Sequence, residues 1–166
     1  MAALRASGRK SKSSGSDPAG DPAAQAWQRA VRWLAAHDRS AHEVRERLVT
    51  QGFSPAIVSA TIARLRELRY LDDQRFACDM AEQAVRRGHG SEYVRAQLGM
   101  KGIAEPLIDD AIGAAFEDEA DLARRVLARH YPALPGDHST RAKGARFLLR
   151  RGFPEALVFA ILGEDC

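Results

Sequence analysis

The residues of this 166-residue chain that could do chemistry do not assemble into a reacting set. The five histidines, at positions 37, 42, 89, 130 and 138, form no HxxxH or HExxH pair with the spacing that puts two imidazoles on one metal. Neither Cys78 nor Cys166 has a CxxC partner. Asp72-Asp73 and Asp109-Asp110 look like paired carboxylates, but the first pair sits where a helix begins and acids complement the helix dipole. The second pair falls in mid-helix on a face expected to be solvated. Gly88-His89-Gly90 is too short for a phosphate cradle and follows no strand, so it reads as a helix stop and hinge. Catalysis is not expected of this chain, nor a metal or cofactor.

Recognition chemistry is better supported. The net charge is only +3, yet it is segregated along the chain. Between Glu105 and Asp121 the only charges are acids, while Leu122 to Arg151 contains Arg124, Arg125, Arg129, Arg141, Lys143, Arg146, Arg150 and Arg151 against the single acid Asp137. On a helix over 140–151, with about 100° between residues, Lys143, Arg146 and Arg150 share one side. Arg151 lies at its margin, and Ala145, Leu148 and Leu149 lie opposite. Arg124, Arg125 and Arg129 line the preceding helix. These seven cations (Arg124, Arg125, Arg129, Lys143, Arg146, Arg150 and Arg151) form the candidate partner-binding surface, since guanidinium forks suit carboxylates or phosphates.

The elements that would carry them repeat. QGF at 51–53, KGI at 101–103 and RGF at 151–153 place Gly52, Gly102 and Gly152 at a constant interval. Leu48, Leu98 and Leu148 precede them at the same distance; Phe53, Ile103 and Phe153 follow directly. A glycine just past a helix can close a Schellman cap, in which those flanking apolar residues touch. Each phrase is therefore predicted to end one helix and turn the chain into the next. Ser54 with Pro55, Pro106 and Pro154 open the helices that follow, and Ser40 with Glu43 makes a capping box upstream. A further helix precedes each pair, over 21–37, 72–87 and 120–131, with predicted stripes of Trp27, Val31 and Leu34, of Phe76, Met80 and Ala84, and of Leu122, Val126, Leu127 and Tyr131.

The fold expected is all-α: three tandem three-helix repeats, about nine helices, in an elongated, curved array. The boundaries are a disordered basic tail over 1–21 and repeats over 22–70, 71–117 and 118–166. The residue before each glycine (Gln51, Lys101, Arg151) is expected to be free to differ. Helix-turn-helix readout of DNA needs polar side chains in the first turn of the second helix. Those turns here read SPAIV, AEPLI and PEALV, so direct base reading is not expected. No apolar run approaches the roughly 20 residues of a membrane span, and no signal-peptide h-region is evident. Two cysteines make no disulfide framework, and a cytoplasmic setting is expected.

The blocks SAHEVRERLVTQGF, LRYLDDQRFA, RRGHGSEYVRAQLGMKGI and RAKGARFLLRRGF, in that order, resemble the bacterial RecX family over roughly residues 25–162. The resemblance implies a small, non-enzymatic cytoplasmic modulator of RecA, the recombinase that polymerises on single-stranded DNA, acting in DNA repair and the SOS response. Such proteins lodge along the RecA filament and suppress strand exchange, ATP hydrolysis and coprotease activity. The partner implied is the RecA filament, with single-stranded DNA met indirectly or weakly, and the free protein is expected to be a monomer. A helical protein acting directly on DNA is the alternative. Ser91 and Tyr93 depart from the residues usual in related chains.

Overall fold

The computed structural model describes residues 20–132 and 138–163, so nearly all of the basic tail, and Cys166, lie outside the described residues. Among the described residues there are nine helices and no strand. They are α1 (Pro22–Leu34), α2 (Ala41–Thr50), α3 (Pro55–Glu67), α4 (Asp73–Arg86), α5 (Ser91–Met100), α6 (Glu105–Ala115), α7 (Glu119–His130), α8 (His138–Arg150) and α9 (Glu155–Leu162). The expected three-helix repeats are present, and the helices pack chiefly within their own repeat.

All three glycine phrases close as Schellman caps. Phe53 N donates to Leu48 O at 3.2 Å and Gly52 N to Val49 O at 2.9 Å; the same pair of bonds recurs at Ile103/Gly102 and at Phe153/Gly152. The glycines take φ values of 85°, 67° and 76°, in the left-handed region that side chains disfavour. The last turn of α3 closes the same way with Arg69 at φ 60°, a position where glycine was absent to announce it. Ser40 and Glu43 form the capping box, and Ser54, Asp72 and Asp118 cap α3, α4 and α7. Pro154 is the N-cap of α9 rather than its first helical residue, which is Glu155.

Three apolar clusters form the core, one per repeat. The leading helix of each repeat corrects the expected stripes. In α1 the buried residues are Ala26 and Ala30, with Trp27, Val31 and Leu34 only partly covered. In α4 they are Ala77, Ala81 and Ala84, with Phe76 and Met80 at the margin. In α7 Leu122 and Leu127 are buried as expected, but Ala123 lies between them and Val126 and Tyr131 are partly covered. Counted from the caps Asp21, Asp72 and Asp118, Ala26, Ala77 and Ala123 occupy the same position, and each is 0 % exposed. Small side chains there let the leading helix lie close on its neighbours, while its large residues spread over the rim.

Successive repeats join through the glycine phrase. Between the first and second, Ser40 Oγ donates to Lys101 O at 2.6 Å and the Gly102 backbone lies against the His42 side chain. Ala41 N donates to Asp73 Oδ1 at 2.8 Å and Lys101 Nζ to Glu43 Oε1 at 2.6 Å. Between the second and third, Gly90 N donates to Arg151 O at 2.9 Å and Glu92 N to Gly152 O at 3.0 Å, while Gly152 lies against Tyr93. Ser91 donates to both Glu119 oxygens, from N at 2.6 Å and from Oγ at 3.0 Å. In both seams the N-terminal turn of a repeat's middle helix docks on the next repeat's glycine turn, and the first residue of the next leading helix, Asp73 or Glu119, accepts its amide. The residue before the glycine is therefore not neutral: Lys101 and Arg151 are seam residues.

Candidate partner-binding surface

The seam between the second and third repeats is also where arginines gather. A hollow of about 490 Å³ lies between the end of α4 and the face of α7, floored by Val85, Leu122 and Val126. Arg86, Arg87, Arg125, Arg129 and Arg151 line it. Two of these are held internally. Arg86 Nη1 lies 3.1 Å from Glu82, and Arg125 pairs with Asp121 one turn earlier on α7. Arg151 is spent on the seam: its Nη1 donates to the Arg87 carbonyl at 2.9 Å and the Gly88 carbonyl at 3.1 Å, and its guanidinium lies 5.0 Å from the Phe147 ring centre. Arg87 and Arg129 are exposed and meet no carboxylate among the described residues.

Of the seven cations expected to form one surface, Arg125, Arg129 and Arg151 come together in this hollow. Arg124 points elsewhere, into a second hollow with Leu127, Tyr131 and Arg141. Lys143, Arg146 and Arg150 are exposed along α8 without a carboxylate partner among the described residues. Adjacent arginines on one helix diverge by about 100°, which splits Arg124 from Arg125. Arg86 and Arg87 were missed because they belong to the preceding repeat; the RR before Gly88 was the only sign of them.

Burial holds the His89 imidazole below its ordinary 6.5, with the Arg151 charge adding to the effect, a backbone hydrogen bond at Arg151 opposing it, and Arg87 lowering it further. Its Nδ1 is buried without a partner and its ring stacks on Tyr93 at 4.0 Å between centres. At the other seam, burial opposes ionisation of Glu43. The Lys101 hydrogen bond, the Ser40 amide and the charges of Lys101 and Arg39 outweigh it, leaving the carboxyl below 4.5. Among the described residues no three His, Cys, Asp or Glu side chains gather as a metal would require. No described helix is long and apolar enough to cross a membrane.

Known proteins share the sequence pattern and the fold. Residues 26–65 match the family model of the RecX first three-helix domain and residues 72–112 that of the second. The regulatory protein RecX of Vibrio parahaemolyticus is 30% identical over 146 residues, covering 87% of this chain and 94% of that protein. The chain belongs to the RecX family. The Chromohalobacter salexigens RecX is 32% identical over 124 residues, covering 75% of this chain and 82% of its own. The crystal structure of RecX from Lactobacillus salivarius superposes with a TM-score of 0.71 at 22% identity, covering 87% of this chain and 97% of that one, and so shows the same fold.

Proposed function

We propose that this RecX-family chain is a non-enzymatic regulator that binds the RecA–single-stranded-DNA filament and lowers its recombinase, ATPase and coprotease activities together. The family supplies the regulatory role. The observation that carries the binding surface is the arginine-lined hollow at the second seam, where Arg87 and Arg129 stand exposed with no carboxylate partner among the described residues, continued along α8 by Lys143, Arg146 and Arg150. Unpaired guanidiniums on a braced support favour a protein or nucleic-acid surface rich in carboxylate or phosphate. A partner that binds one filament state better than the others lowers every activity of the disfavoured state at once, which needs no chemistry from the regulator.

The test is RecA's DNA-dependent ATPase, titrated with the wild-type chain, with Arg87→Glu/Arg129→Glu and with Arg146→Glu/Arg150→Glu. Wild type should inhibit at or below stoichiometric amounts. Each double variant, with unchanged helical circular dichroism, should need about tenfold more protein, as loss of two charge-assisted contacts implies. An ATPase indifferent to the wild-type chain would sink the reading. Tight binding to bare DNA with a steep salt dependence would favour direct action on DNA instead.

A further inference from the structure

The two internal seams show what the glycine-turn end of a repeat is built to receive: the N-terminal turn of a helix. At one it takes α2, with Glu43 in the first turn; at the other it takes α5, with Glu92 in the first turn. The first repeat has the same end, but no described repeat precedes it. Gln51 and Gly52 are exposed there, and a side chain at Gly52 would meet nothing within 4 Å, unlike one at Gly102 or Gly152.

The residues on this open end differ from their partly buried counterparts at the second seam. Counted from the leading-helix caps, Arg29 stands where Val126 packs on Gly88 in the second seam. Counted from the glycines, Arg47 stands where Phe147 lies beneath Arg151. The first residue of the leading helix is Pro22, where the seams have the acids Asp73 and Glu119. Arg29 and Arg47 line an open hollow of about 320 Å³ with Arg32, Trp33 and Gln51. The Arg47 guanidinium lies 4.5 Å from the Trp33 ring centre, and Arg29 donates to Gln51 Oε1 at 3.3 Å. None of Arg29, Arg32 and Arg47 meets a carboxylate among the described residues. Pro22 stands where each internal seam keeps an acid on the receiving side, and Arg29 and Arg47 add positive charge where the second seam has apolar residues.

We infer that this open end is a second docking site, which takes the N-terminal turn of an acidic-capped helix from a different protein. The docking turn would place its backbone on the Gly52 turn, as α2 and α5 do on theirs, and bring its own carboxylate to Arg29 and Arg47 beside Trp33. A second copy of this chain does not fit. Among the described residues the middle helix with no repeat after it is α8, which already begins at His138 and so runs through the position of the Ser40 and Gly90 caps. That helix carries Arg141 and Lys143 where α2 has Ala41 and Glu43, so cations would face cations.

This inference rests on the filament-binding reading and gives it a second contact at the opposite end of the array. The experiment measures binding of the full chain to preassembled RecA–single-stranded-DNA filaments by co-sedimentation, for wild type, Arg29→Glu/Arg47→Glu and Arg29→Gln/Arg47→Gln. A photo-crosslinking residue at Gln51 reports what lies there. The reversal should weaken binding by more than tenfold and the neutral variant by less, with thermal midpoints unchanged, and the crosslink should fall on RecA. Wild-type affinity in the reversal, or a crosslink to DNA, overturns this docking site and leaves the filament reading standing. Absence of wild-type binding overturns both.

Discussion

Gly102 and Gly152 meet two demands at once, and Gly52 only one. All three hold a left-handed φ, but at Gly102 and Gly152 a methyl group would also penetrate the His42 side chain or the Tyr93 backbone. Gly52→Ala should therefore cost about 1 kcal/mol, the left-handed penalty alone. Gly102→Ala and Gly152→Ala should each cost about 3 kcal/mol, because overpacking at the seam is added. Urea unfolding of the three variants checks this, and equal losses would show that the seams do not constrain the glycines. The cap conformation was legible at residue scale, because Leu48, Leu98 and Leu148 and their partners recur in register with the glycines. The steric demand was not, since His42 and Tyr93 come from another repeat.

Among the elements, the leading helices show how a pattern of large apolar residues can mislead. Trp27, Phe76 and Val126 are conspicuous in sequence, yet the fully buried positions belong to Ala26, Ala77 and Ala123. Close helix approach buries the residue with the least bulk and leaves the larger ones to cover the edge. Ala77→Leu should force α4 from α6 and destabilise by about 1–3 kcal/mol, whereas Cys78→Ala at the half-covered neighbouring position should change stability by less. Thermal or urea midpoints of the two variants decide the ranking, and a neutral Ala77→Leu would mean that the α4–α6 interface is loosely packed.

Across the whole molecule, acid should loosen both seams in sequence. The folded chain holds His89 below 6.5, so its contribution is complete above that value and is lost as pH falls through the lower folded one. Glu43 is held below 4.5, so its contribution is complete above 4.5 and is lost as pH falls through its own folded value. The melting temperature should therefore begin to fall below about pH 6.5 and fall again in the carboxylate range. His89→Phe, which can keep the stack on Tyr93 without titrating, should flatten the first descent. An unchanged profile in that variant would assign the descent to other groups.

From local order alone the chain determines its helices, their caps and their threefold recurrence, because hydrogen bonds four residues apart and left-handed glycines are satisfied within one turn. That is why the repeated phrase is readable in the sequence itself. Only the tertiary structure decided which cations share a surface. It separated Arg124 from Arg125, committed Arg151 to carbonyls of the preceding repeat, and brought Arg86 and Arg87 across to Arg129. The physical reason is that a seam joins residues 28 to 64 positions apart, so neither the charge that gathers there nor the end of the array left open among the described residues is written in any single stretch.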